Sequence, residues 1–139
     1  MCENWGYFRL AGYYRKESIE EMVHAEKLMN RILFLEGTPS MTDIGPIKVG
    51  KNLKAQLEND LVLELDAVKH LNGAIQNAVE ANDNASRALF EEILNDEEEH
   101  VDYLEGQSTR SARSVSRTIS PSSFTKERKT RKTSRWGAL

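Results

Sequence analysis

Two Glu-x-x-His tetrads, Glu21-Met22-Val23-His24 and Glu97-Glu98-Glu99-His100, stand far apart in a chain of 139 residues. Between them, Glu64 interrupts an otherwise apolar helical stripe. In a helix, residues three apart are offset by roughly 60° and ~4.5 Å of rise, so each tetrad aims a carboxylate and an imidazole toward one place. Three carboxylates with one imidazole per metal suit a pair of iron or manganese ions inside a helical bundle. The sequence offers no nucleophilic triad, glycine-rich phosphate loop or paired-cysteine zinc motif to compete for the chemistry.

A lone Glu-x-x-His on a helix is usually a solvated pair, so the setting matters. Tyr14, Glu17, Glu21, His24, Leu28, Ile32 and Leu35 follow a three/four spacing, as do Phe90, Ile93, Glu97, His100 and Leu104. Glu64 lies on the stripe Leu57, Leu61, Glu64, Val68, Leu71, Ile75. Burying an unpaired carboxylate is costly or forces its protonation, so three such acids require a shared cation or a shared proton network.

The elements that must position these residues are three long helices. The first is expected from near Trp5 to Leu35, closed by Gly37 and Pro39; the second from near Lys51 to Val79; the third from near Ala85 to Glu105. The loop of 15 residues from Glu36 to Gly50 (50 − 36 + 1) is long enough to return along a helix, which makes the first two helices parallel. The short link Ala81-Asn82-Asp83-Asn84 offers Asp and Asn caps and makes the second and third antiparallel. Glu21, Glu64 and Glu97 then stand 16, 13 and 12 positions into their helices (21 − 5, 64 − 51, 97 − 85), at one level.

Composition agrees with a single helical domain in a reducing compartment, expected to be the cytoplasm. Cys2 is the only cysteine, and no apolar run is long enough to span a membrane. The net charge of −3 hides two unlike segments. Residues 1–105 carry ten Lys or Arg against 21 Asp or Glu (−11), and residues 106–139 carry nine against one (+8). The second segment, rich in Ser, Thr and Arg, is expected to be a disordered basic tail after an incomplete helical domain at 1–105. Its bland reading is an extension without a selected role; its functional reading is an arm for nucleic acid or another polyanion, and the bland one is preferred.

The segments ESIEEMVHAEKLMNRILFLEGTPS, LENDLVLELDAVKHLNGAI and EEILNDEEEHVDYLE resemble bacterioferritin, the haem-containing branch of the ferritins, over roughly Asn4 to Glu105. The resemblance implies an all-α fold, a ferritin-like four-helix bundle reduced here to about three long helices. It also implies iron storage with ferroxidation, Fe(II) giving electrons to O2 or peroxide, at two iron ions per subunit. Glu21 and Glu97 match the family's bridging carboxylates, His24 and His100 its imidazole ligands, and Glu64 a terminal carboxylate. Met22 matches the haem ligand, which implies haem b shared between two subunits. The implied partners are further copies of the chain or intact bacterioferritin subunits.

Geometry places Met22 about 100° from Glu21 and 200° from His24, hence on a lateral face with Ala25, Met29 and Leu33. There it could ligate haem across a twofold axis or simply fill a dimer contact. His70, off the Glu64 stripe, reads as a surface side chain. The family's first helix, which supplies one more terminal carboxylate, is expected to be almost wholly missing, as in an incomplete or frame-shifted gene product. One metal would then keep Glu21, Glu64, Glu97 and His100, and the other only His24 and the two bridges. The alternative role is a non-enzymatic haem-binding or assembly subunit.

Overall fold

The computed structural model describes residues 1–42 and 44–119, with side chains described through residue 110. Three helices follow one another, α1 (Phe8–Phe34), α2 (Leu53–Glu80) and α3 (Asn84–Ile119). No strand occurs among the described residues, so the all-α expectation holds.

Local chemistry sets the helix ends. A tight turn over the first residues places Tyr7 N on Cys2 O at 2.9 Å, and Gly6, at φ +84°, breaks the path between this turn and α1. That glycine is why α1 starts at Phe8 rather than near Trp5. At the other end the left-handed residue is Glu36 (φ 61°), not the expected Gly37. Gly37 instead donates its N–H to Ile32 O at 2.9 Å, and a Cβ there would lie 2.9 Å from Ile32 Cγ2. Asn52 caps α2, its Oδ1 accepting from Ala55 N at 2.9 Å. Asn82 (φ 55°) ends it, and Asp83 opens α3 by accepting from Ser86 N at 3.0 Å.

α3 continues through Gly106 to Ile119, 14 residues beyond the expected end at Glu105 (119 − 105). One glycine costs a helix only about 1 kcal/mol against alanine, too little to stop a long one. The expectation of a disordered segment starting at 106 is therefore corrected over 106–119; its remainder, 120–139, lies outside the described residues.

Side-chain pairs fix the directions. Tyr13 meets Tyr103, Lys27 Nζ reaches Glu92 at 2.7 Å, and Arg31 donates to Asp83 and to Ser86 Oγ, so α1 and α3 run antiparallel. The short link makes α2 antiparallel to α3, and the Tyr14 hydroxyl donates to Asp60 across the parallel pair α1 and α2. α2 and α3 pack closely along their lengths, whereas the α1 and α2 backbones stay more than 8 Å apart.

The apolar core is small and sits at one end. Cys2, Leu10, Leu57 and Leu104 are buried together, with Tyr13, Tyr14, Leu61 and Tyr103 around them. Ile32 and Leu35, expected on the buried stripe of α1, are exposed because no described helix covers that side. No helix among the described residues is long and apolar enough to cross a membrane.

Candidate metal centre

All five residues expected at a metal pair come together midway along the helices. α1 supplies Glu21 and His24, one turn apart; α2 supplies Glu64; α3 supplies Glu97 and His100. His100 Nδ1 lies 3.7 Å from Glu21 Oε1, 3.8 Å from Glu64 Oε2 and 3.3 Å from Glu97 Oε2. His24 Nδ1 lies 3.7 Å from Glu21 Oε2 and 3.4 Å from Glu97 Oε1. Each of Glu21 and Glu97 therefore turns one oxygen toward each imidazole. Glu21, Glu64, Glu97 and His100 each offer an atom within 4.8 Å of the others'.

The outer ring nitrogens face further acids. His24 Nε2 is 3.0 Å from Asp96 Oδ2, and His100 Nε2 is 2.5 Å from Glu17 Oε2. A carboxylate only accepts, so each Nε2 carries the hydrogen and a neutral ring presents a bare Nδ1 lone pair inward. Those lone pairs aim at carboxylate oxygens, an arrangement that repels unless something positive lies between. His24 Nδ1, His100 Nδ1 and Glu97 Oε2 are buried with no hydrogen-bond partner. Buried polar atoms are ordinarily satisfied, and three orphans facing one another mark a place for a cation.

The carboxyls register the same crowding. Glu64 is pushed up to about 9, by burial first and then by the neighbouring Glu97, with Glu21 and Glu17 adding to it. Burial and then the Glu97 charge raise Glu21; burial raises Glu17 against the pull of His100. Glu97, His24 and His100 are buried and Glu64 is part-buried, but the Glu21 side chain is 49% exposed. The expectation that Glu21 is buried is corrected: the flank of α1 beside it is open.

Glu17 and Asp96 as histidine partners escaped the sequence reading. Glu17 had a signal, being four residues before Glu21 on the same stripe; Asp96, next to Glu97 and off the α3 stripe, had none. Glu17 and Glu20 lie on the Nε2 side of His100 and add nothing to the His24 position. Met22 stands outside the cluster, 63% exposed on a lateral apolar face with Ile19 and Leu33, and His70 is exposed beside Asp66.

Comparison with known proteins agrees with this arrangement. The Ferritin family, described as a ferritin-like domain, matches residues 1–113. The bacterioferritin of Mycobacterium bovis is 45% identical over 107 residues, covering 77% of this chain and 67% of the relative; that of Brucella melitensis is 46% identical over 107 residues, covering 77% and 66%. Among solved structures, Mycobacterium tuberculosis bacterioferritin BfrA superposes with a TM-score of 0.74 at 45% identity, over 77% of this chain and 67% of that one. A Rhodobacter capsulatus bacterioferritin with a metal-free dinuclear site and haem iron in a crystallographic special position gives 0.78 at 43% identity, over 81% and 70%. The matched stretch thus spans about two thirds of the relatives' length.

Proposed function

The chain belongs to the ferritin-like family, in its bacterioferritin branch, and we propose that it serves iron storage by oxidising Fe(II) between α1, α2 and α3. The observation that carries this reading is the trio of orphaned atoms, His24 Nδ1, His100 Nδ1 and Glu97 Oε2, facing one another among carboxylates. Two Fe(II) ions are the substrate, each giving one electron to O2 or peroxide before leaving as Fe(III) for a mineral store.

The protein's contribution is placement. Glu21 and Glu97 bridge; Glu64 and His100 complete one position; His24 alone completes the other among the described residues. Asp96 and Glu17 fix the imidazole tautomers so that both Nδ1 atoms stay available. When Fe(II) arrives, the proton held on Glu64 leaves, and the freed charge favours the ferric product.

Haem fits the lateral face of α1. Met22, a soft thioether among apolar neighbours, would hold haem together with its counterpart in a second copy. A bound haem would pass single electrons. Haem thus belongs to a homo-oligomer, or to an assembly with intact bacterioferritin subunits, rather than to the isolated chain. Without ferroxidation the same face would support the second role, a haem-binding assembly subunit.

Anaerobic Fe(II) titration followed by an O2 pulse tests the main reading. Bound Fe(II) and a ferric absorbance that both vanish in Glu97→Ala are expected. Titration that leaves all Fe(II) free in the folded wild-type chain would overturn it.

A further inference from the structure

We propose that Tyr13 and Tyr103 form an oxidative modification site, at which peroxide consumed at the metal centre joins the two rings as a dityrosine stapling α1 to α3. This rests on the iron-oxidising reading above.

The two rings stack with centroids 3.6 Å apart and planes 15° from parallel. Aromatic pairs ordinarily prefer offset or edge-on contacts at 4.5–7 Å, roughly, so these two are closer than packing alone favours. Phenoxyl radicals couple through ring carbons beside the oxygen, and two rings in face contact need only a small slide to bring such carbons into bonding range. Tyr14 makes the contrast: its ring meets Tyr13 edge-on at 5.8 Å, and its hydroxyl is committed to Asp60.

The pair is also wired to the metal centre. Tyr103 follows His100 by one helical turn on α3, and Tyr13 precedes Glu17 by one turn on α1. Tyr13 and Glu17 line one cavity, Glu17 Oε2 touches His100 Nε2, and His100 Nδ1 faces the metal positions. A cavity of about 210 Å³ whose lining includes Tyr13, Glu17 and Glu64 runs from one ring of the pair to one carboxylate of the cluster and gives a small oxidant room between them.

The reaction balances. Each phenol gives up one electron and one proton, and peroxide takes both electrons and both protons to become two waters. A bond forms between one ring carbon of each tyrosine, and the hydrogens displaced there return to the phenol oxygens. Iron held by Glu21, Glu64, Glu97 and the two imidazoles would supply the one-electron chemistry, and the oxidant of the phenols is peroxide beyond that consumed by Fe(II).

The test uses the full chain loaded anaerobically with Fe(II), treated with hydrogen peroxide, and read by dityrosine fluorescence and peptide mass mapping. The expected product is a peptide pair linked through Tyr13 and Tyr103, lighter by two hydrogens. It should be lost in Tyr13→Phe and Tyr103→Phe, kept in Tyr14→Phe, and lost in Glu97→Ala. Iron that binds and is oxidised while the tyrosines stay unlinked overturns the proposal and leaves the ferroxidase reading intact. A link formed undiminished in Glu97→Ala overturns it too, since the oxidant would not act from the metal centre. A wild-type chain that neither binds Fe(II) nor forms the link sinks both.

Discussion

Raising the pH should weaken the metal-free fold and strengthen the metal-bound one. Glu64 keeps its proton in the folded chain up to about pH 9, against 4.5 for an ordinary carboxyl. Across that window the unfolded chain has already lost the proton, so the folded state binds more, and stability falls as pH rises. Glu64's contribution is fully present below 4.5 and gone above 9; Glu17 and Glu21, also raised, act in the same sense. A fully shifted group sets a limit of about 1.4 kcal/mol per pH unit. Glu64 keeps 21% of its side chain in solvent. Screening brings the working slope to about 0.5 kcal/mol per pH unit. From about pH 6 to about pH 9 the metal-free melting temperature should drop by about 5–10 °C. Co(II), a redox-inert stand-in for Fe(II), displaces the proton and must reverse the trend, adding about 2.7 kcal/mol at a hundredfold excess over Kd and more at higher pH. Thermal unfolding followed by circular dichroism, with and without Co(II), reads both slopes. Glu64→Gln should flatten the metal-free slope and shrink the Co(II) effect. A metal-free melting temperature that is level or rises over this range, or an unchanged slope in Glu64→Gln, refutes the reasoning.

The two metal positions should be unequal: calorimetry should find one strong Co(II) per chain, lost in His100→Ala and largely kept in His24→Ala, whereas two equally tight ions would mean that another donor completes the His24 position. Met22→Ala should abolish the optical spectrum of haem-reconstituted protein without changing Co(II) binding, and an unaltered spectrum would place the haem ligand elsewhere. Leu57, 2% exposed in the small core, should cost about 2–5 kcal/mol when cut to Ala. Denaturant unfolding of Leu57→Ala checks this, and a loss under about 1 kcal/mol would mean that the core collapses around the gap.

Much of this architecture was legible because helical spacing and short polar signals are local. Glu21 and His24 share a turn by periodicity alone, and Asp83, in a link read as offering Asp and Asn caps, does cap the third helix. The common level of Glu21, Glu64 and Glu97 followed from counting along three helices joined by one long and one short link. What escaped depends on neighbours. Glu21 is half exposed although its stripe reads as buried, because periodicity tells which face is apolar and not whether anything covers it. The contact of Asp96 with His24 spans 72 positions, and the stack of Tyr13 on Tyr103 spans 90 (103 − 13). The end expected at Glu105 rests on the Ser-, Thr- and Arg-rich composition beyond it, yet a helix already propagating tolerates such residues and one glycine.

The wide separation of α1 from α2 has a consequence for turnover. α1 is held by a few polar tethers, by Tyr13 and Tyr14 at one end, and by the ring of carboxylates and imidazoles in the middle, which repel while no cation sits among them. The strength of this seam is therefore set from outside, by how much metal the surroundings supply. With metal scarce, α1 would swing clear more often and offer its backbone to proteases; with metal plentiful, the same seam would hold α1 in place. Cellular abundance would then follow iron supply through survival of the polypeptide itself, with no change in its synthesis.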